Sequence, residues 1–367
     1  MKILIVSAKN KTVFNFRGDL ISDMIACGNE VYVTGPNQDY IDDVMALGVK
    51  QFIEIPSVKD NTSVKNDLKY LKLLKRAVKD IQPDIVFSYN IKPVIYGSMA
   101  ARSKKVPHIY AMVTGLGRVY ATGGFKTKII RIITKLLYKN AFKACNKVLF
   151  QNGDDVNDLV KEGYLDKSKT VIVNGSGVNM ERFKKTAIPE RPVFLMVSRI
   201  IKEKGVLEYC EAARRIKKYR PDARCILLGG FDTSIGALKL TDIQEYVDDG
   251  SIEFPGEVKD PALYYESASV FVLPSYYREG LPRTILEAMA CGRPIITTDW
   301  TGCREAVRDG VNGFLVPIKN SKALTEKMML LCEHEKAEVM GNQAYITCQH
   351  KYEVGIINKQ MREAIGY

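Results

Sequence analysis

Histidine and tryptophan are scarce in this 367-residue chain, with three of the first (His108, His334, His350) and one of the second. So few histidines leave no plausible Ser-His-Asp set, and no His/Cys/Asp cluster has ligand spacing, so neither a metal nor another cofactor is expected. The eight cysteines (27, 145, 210, 225, 291, 303, 332 and 348) include no Cys-x2-Cys pair. They read as reduced, mostly structural thiols of a cytoplasmic protein. No apolar run reaches the ~20 residues that crossing a bilayer requires. The start, Met1 to Ser7, is too short and abrupt for a signal peptide and reads as a first buried strand. Gly115/Gly117 and Gly175/Gly177 each supply two glycines of a dinucleotide fingerprint, but the third glycine and the acidic residue are missing. No helix-turn-helix or aromatic RNA-binding signature accompanies the net charge of +12, so nucleic acid is not an expected partner.

What is present is an alternation of apolar strand-like runs with helical patterns. The runs are 3–6, 31–34, 85–88, 108–112, 148–151 and 170–173, then 193–198, 225–228, 252–254, 270–273 and 294–297. Such a βαβ series implies parallel sheets. A Gly/Pro/charge-rich stretch from Asn174 to Pro192 separates the two sets and marks a domain boundary. With 46% hydrophobic and 26% charged residues, the chain is globular and long enough for two cores. The expected division is a first α/β domain over 1–185 and a second over 190–344.

One stretch, Tyr276 to Gly292, is the most informative. Glu279 and Glu287 stand with seven residues between them, split by a Gly280-Leu281-Pro282 corner. Val270–Leu273 reads as the strand before the corner. Pro282 suits a first helical position and Gly292 a helix stop. A helix starting there aims backbone N–H groups, and the positive end of its dipole, over Glu279 to Arg283. That is an anion site, and phosphate is the usual anion. About 80 residues upstream, Leu195–Gly205 runs from a strand into a loop carrying Arg199 and Lys204. Two cations at a strand end, one a planar fork and one a mobile point charge, suit a diphosphate.

These segments closely resemble retaining glycosyltransferase family 4, whose members have the GT-B architecture: two facing Rossmann-like, doubly wound parallel-sheet domains with a cleft between. The resemblance rests on the Glu-x7-Glu of Glu279 and Glu287 and on the Arg-x4-Lys-Gly of Arg199 to Gly205. It extends to Leu228-Gly229-Gly230, Phe254–Val258, Phe271–Ser275 and Asp309–Val316. A narrower likeness, at Met112–Gly117 and Gly229–Asp232, is to the members that extend polyprenyl-diphosphate-linked sugars. The resemblance implies transfer of a hexose or N-acetylhexosamine from a UDP-sugar, a substrate rather than a cofactor, to a polyprenyl-diphosphate-linked saccharide. Arg199, Lys204 and the helix start would steady the departing diphosphate, and Glu279 would contact donor-sugar hydroxyls. Gly280 and Leu281 would lend N–H groups, Glu287 would take the ribose hydroxyls, and the base would lie near Gly229, Gly230 and Val258. Arg283 reads either as a donor-selecting residue or as a helix-start surface residue. A glycosidase-like pair of carboxylates is discounted, because Glu279 has no partner carboxylate nearby in sequence. In the family the last helix returns to the first domain, and 345–367 is its expected counterpart.

Two departures from the family pattern fall in the first half. The paired glycine after the first strand is replaced by Ala8–Arg17, and the crest histidine by Thr114–Arg118. Acceptor-binding candidates there are Asn15, Arg17, Lys92, Thr114, Gly115 and Gly117. Asn15 and Arg17 either hold an acceptor diphosphate or pack and cap the first helix. His108, after Pro107 in an apolar run, reads as a core residue. In 125–147, Lys128, Arg131, Lys135 and Lys139 recur at helical steps, with Ile129, Ile133, Leu136 and Leu137 on another face. This helix either packs its apolar side inward with a wet basic side, or also meets anionic lipid on the inner face of the plasma membrane. A nucleotide-sugar 2-epimerase of the same architecture and a non-catalytic sugar-nucleotide-binding protein are the competing functions.

Overall fold

The computed structural model describes residues 1–56, 63–117, 125–233 and 236–367, with the side chains of 125–131 also outside the description. Arg118, and the side chains of Lys128, Ile129 and Arg131, therefore lie outside the described residues. The chain divides into two compact units, 1–176 with 357–367, and 177–356.

In the first unit seven parallel strands run in the order β3-β2-β1-β4-β5-β6-β7. They are β1 (Lys2–Val6), β2 (Glu30–Gly35), β3 (Gln51–Glu54), β4 (Ile85–Tyr89), β5 (His108–Val113), β6 (Lys147–Phe150) and β7 (Thr170–Ile172). In the second unit six parallel strands run β10-β9-β8-β11-β12-β13. These are β8 (Val193–Val197), β9 (Arg224–Leu228), β10 (Glu253–Gly256), β11 (Val270–Leu273), β12 (Ile295–Thr298) and β13 (Gly313–Val316). β-rich apolar runs such as Val193–Val197 are buried along nearly their whole length, as strands covered by helices on both faces must be. Each sheet reverses its order beside its first strand: β1 pairs with both β2 and β4, and β8 with both β9 and β11. Ligands of open α/β sheets bind beyond the carboxyl ends at such a reversal.

The division falls at Ser176/Gly177 rather than after residue 185, for a packing reason. Val178 and Phe183 belong to the second core. The fully buried Arg293 donates to the Thr186 carbonyl at 2.7 Å, Ala187 at 3.2 Å and Ala268 at 2.7 Å. Those bonds hold a buried cation without a carboxylate, and burial lowers its pKa to about 10. The chain returns to the first unit at Ile357 rather than at 345. Met340, Ala344, Cys348 and Tyr352 still face the second core, whereas Ile357, Met361 and Ile365 join the first. The two edge strands β3 and β13 have no counterpart among the runs expected from sequence. β3 is short and half-exposed, so it lacks the apolar run that betrays a buried strand.

The helix Phe125–Ala144 departs from the expected orientation. Tyr138, Ala141 and Phe142 turn inward, while Ile132 (60% exposed), Ile133 (53%) and Leu136 (60%) turn outward. Ile133 and Leu136 were expected on the packed face. The helix is long enough to carry two apolar stripes, and the core takes the one nearer its C-terminus. His108 is also exposed, stacked on Tyr110 at 6.5 Å, rather than in the core.

Candidate functional site

The second unit gathers its candidates at the sheet reversal. Arg199 and Lys204 lie in the loop after β8, and Glu279 to Arg283 follow β11, the strand paired to β8. The two loops are joined by backbone: Tyr276 N–H donates to the Glu203 carbonyl at 2.8 Å. The Ser275 hydroxyl donates to the same carbonyl at 3.3 Å.

The corner then turns into the helix Arg283–Ala290. Pro282 stands just before it with φ −62° and ψ 117°, one residue earlier than expected; helix ends are defined only to about that margin. Ile285, Leu286, Ala288, Met289 and Ala290 are buried, which leaves Arg283 and Glu287 on the remaining face. The helix stops at Gly292, in the left-handed region at φ +78°. Its N–H reaches Met289 at 3.0 Å and Arg293 N–H reaches Ala288 at 2.9 Å, the paired closure that a C-terminal glycine permits. Behind the corner, Gly302 has φ +82°, and a Cβ there would lie 2.4 Å from the Gly280 carbonyl oxygen and 2.6 Å from that of Glu279. Only glycine lets this backbone come so close.

Within this frame the charges pair. The Lys204 ammonium donates to Glu279 Oε1, and the two side chains are 12% and 14% exposed. Ser275 Oγ lies 3.3 Å from the same oxygen, an alternative acceptor for its proton. Arg199 meets Asp232 after β9. Burial alone would pull the Arg199 guanidinium down, but its hydrogen bond to Asp232 and the nearby Tyr277 and Glu279 carry it above its ordinary value. The Tyr277 ring lies 5.6 Å from Arg199 and 5.9 Å from Lys204, within cation–π reach of both. Glu287 accepts from Arg283 Nε at 3.1 Å and from the Tyr265 hydroxyl at 2.9 Å. Arg283 is only 9% exposed, so it is not a surface residue of the helix start.

Gly229 and Gly230 follow β9, and Val258 follows β10. A Cβ on Gly229 would sit 1.7 Å from the Ser198 carbonyl oxygen, so this glycine lets the β8 and β9 loops touch. Gly230 abuts the Glu257 carboxylate, and Val258 is half-buried against the core. Sequence reasoning did not single out Asp232, Ser275, Tyr277, Tyr265 or Gly302. Asp232 and Tyr277 sit inside stretches that drew attention, but only the fold brings them to Arg199.

The first unit places its candidates at the carboxyl ends of β1, β4 and β5. Arg17 is 4% exposed in the helix Asn10–Ala26. Its guanidinium lies 5.2 Å over the Tyr89 ring and donates to Ser176 Oγ at 3.0 Å and to the Met112 sulfur at 3.0 Å. Asn15, on the same helix, is half-buried. Lys92 pairs with Asp67 at 2.8 Å, and the Tyr96 hydroxyl donates to the other oxygen of that carboxylate at 2.9 Å. Thr114, Gly115 and Gly117 follow β5, the glycines at φ +106° and +54°. Arg17 and Lys92 thus sit in two different sets of contacts, one on Tyr89, Met112 and Ser176 and one on Asp67 and Tyr96.

Two family profiles cover this chain: Glycosyl transferases group 1 over residues 178–347 and Glycosyl transferase 4-like over residues 2–152. The N,N'-diacetylbacillosaminyl-diphospho-undecaprenol alpha-1,3-N-acetylgalactosaminyltransferase of Campylobacter jejuni is 31% identical, over 92% of this chain and 90% of that protein. The UDP-Gal:alpha-D-GlcNAc-diphosphoundecaprenol alpha-1,3-galactosyltransferase of Escherichia coli is 28% identical, over 87% and 82%. Among solved structures, Anabaena Alr3699/HepE in complex with UDP-glucose superposes with a TM-score of 0.80 at 16% identity, covering 100% of this chain and 99% of that one.

Proposed function

The chain belongs to the group 1 glycosyl transferases and has their GT-B fold, and from that premise we propose that it is a retaining enzyme. It moves a hexose or N-acetylhexosamine from a UDP-sugar to a polyprenyl-diphosphate-linked saccharide during bacterial glycan or polysaccharide synthesis. The observation that carries this reading is the Lys204–Glu279 contact beside Arg199, at the carboxyl ends of two paired strands. The two relatives, whose names specify diphospho-undecaprenol acceptors and, for one, a UDP donor, support the substrate classes.

The chemistry follows from the charges. As the bond from the anomeric carbon to the diphosphate oxygen breaks, its electron pair leaves with UDP and negative charge grows on the β-phosphate. Arg199, Lys204 and the start of the Arg283–Ala290 helix stabilise that charge. Glu279 has by then exchanged its ion pair for hydroxyls of the bound donor sugar. The acceptor hydroxyl oxygen bonds to the anomeric carbon on the face the diphosphate leaves, and its proton passes to the departing phosphate oxygen. Configuration is kept, and no carboxylate is glycosylated.

The acceptor reading assigns the diphosphate of the lipid to the first unit. Ile132, Ile133 and Leu136 stand outward on a helix that also carries Lys135 and Lys139. Lys139 is exposed as well, while Lys135 reaches over the Tyr164 ring; outward apolar side chains on a basic helix suit shallow insertion into an anionic lipid surface, at the inner face of the plasma membrane. None of the helices, among the described residues, is long and apolar enough to cross a membrane.

Incubation of the protein with a panel of nucleotide sugars and a short polyprenyl-diphospho-monosaccharide tests the whole reading, with linkage and anomeric configuration determined by NMR. The expected product forms from a UDP-sugar with the donor configuration kept. An inverted product, or epimerised donor formed without acceptor, contradicts it. For membrane binding, sedimentation with anionic vesicles is expected to carry the protein down, and Ile132→Ser with Leu136→Ser to leave it in solution.

A further inference from the structure

We propose that Tyr265 is a positioning residue for nucleotide recognition: it holds the Glu287 carboxylate in the orientation that accepts the hydroxyls of a ribose. The inference rests on the reading of Glu287 as the ribose partner and adds the element that aims it.

Glu287 Oε1 accepts from Arg283 and Oε2 accepts from Tyr265. An ionised carboxylate offers about four lone-pair sites, so each oxygen keeps one more for an incoming donor. A vicinal diol brings two such donors. The two fixed partners differ in kind. Arg283 stands four residues before Glu287 on the same helix, so this bond joins two side chains of one element. Tyr265 comes from a separate element, the helix Ala262–Ser267.

The Tyr265 ring has no exposure. It meets Phe183 edge-on at 5.7 Å and Phe271 of β11 at 5.7 Å with a 41° tilt. Packing at that density leaves the hydroxyl a single direction, and that direction is Glu287. Burial, then the Glu287 charge, push the phenol well above its ordinary value, so the proton stays on tyrosine and the hydroxyl acts as a donor throughout the neutral range. Being neutral, it orients the carboxylate without cancelling the charge that attracts ribose hydroxyls.

The test is calorimetric titration of the intact protein, wild type, Tyr265→Phe and Glu287→Gln, with UDP and with 2′,3′-dideoxy-UDP. Phenylalanine keeps the ring and its packing and removes only the donor. Wild type is expected to prefer UDP by roughly tenfold or more, the scale of hydrogen bonds to a charged group. Tyr265→Phe should weaken UDP by about tenfold and change the dideoxy nucleotide by less than about twofold, so the preference collapses. Equal weakening of both nucleotides would assign Tyr265 a purely structural role and overturn the proposal. So would a preference lost in Glu287→Gln but kept in Tyr265→Phe, with the ribose reading left standing. Wild type binding the two nucleotides equally would overturn the ribose reading itself, and this proposal with it.

Discussion

In the second unit, the candidate cations are held by carboxylates at the ends of β8, β9 and β11: Lys204 by Glu279, Arg199 by Asp232, Arg283 by Glu287. In the first unit Arg17 lies under the ends of β1 and β4, over the Tyr89 ring and against Ser176 and Met112. The second unit's arrangement is exchangeable. A ligand bringing both phosphate and hydroxyl groups can take the cations with one and the carboxylates with the other, at little cost in unpaired charge. Arg17's place in the first unit is set by packing, unlike Lys92, which Asp67 holds, and Arg17 is too buried to meet an acceptor without movement of what covers it. Ion pairs poised for exchange belong to a site where charge changes during reaction; a packed cation belongs to a scaffold that shapes loops around a substrate.

The largest effect expected from this contrast is on turnover. Lys204→Ala and Glu279→Ala, made separately, should each lower kcat by roughly 10²–10³-fold, the loss seen on removing one preorganised charge-stabilising group. Circular dichroism should show an unchanged fold. Near-normal turnover in both variants would erase the distinction between the units.

Gly302→Ala comes next. The added Cβ drives into the Glu279 and Gly280 carbonyls, so the corner must shift. We expect a loss of about 1–3 kcal/mol in unfolding free energy by denaturant titration and a raised KM for the donor, with the KM for the acceptor held. Arg17→Met sharpens the comparison from the other side. An apolar side chain of similar length can replace a buried cation at little cost in stability, so the melting temperature should change little. The acceptor KM should rise, because the loops that Arg17 shapes are no longer held, while the donor KM stays unchanged. A donor KM that moves instead would reverse the assignment of the units.

The smallest effect concerns pH. The Arg224 guanidinium, through its hydrogen bonds, holds Glu253 below the usual glutamate range against the opposing effect of burial. This contribution is present above the unfolded-state value and is lost as pH falls through the folded one. Both side chains are more than 40% exposed, so it is worth well under ~1 kcal/mol. Melting curves of wild type and Arg224→Ala should differ slightly at neutral pH and converge below about pH 4.

How much of this was legible in the sequence follows the same divide. The second unit's site is carried by short segments, each a strand end with its loop, so Arg199, Lys204, Glu279 and Glu287 could be read in order, and the fold then closed Lys204 on Glu279. Asp232, Tyr265 and Gly302 could not be read as partners, because each acts through a contact between chain-distant elements. In the first unit Arg17 depends on Tyr89, Met112 and Ser176, residues spread across the unit, and no local spacing announces such a cluster. The outward Ile133 and Leu136 defeated periodicity for a related reason. The spacing of apolar residues shows that a helix has an apolar side, not which of two sides the core takes. The boundary at 176/177 hinged on Phe183 and Arg293, whose roles exist only once the second core forms.

The most direct measurement is a crystal structure of the protein with a UDP-sugar bound. The account predicts the diphosphate against Arg199 and Lys204 at the start of the Arg283–Ala290 helix, with Glu279 turned from Lys204 to the sugar and Glu287 on the ribose. A diphosphate bound elsewhere, with the Lys204–Glu279 contact undisturbed, would contradict it.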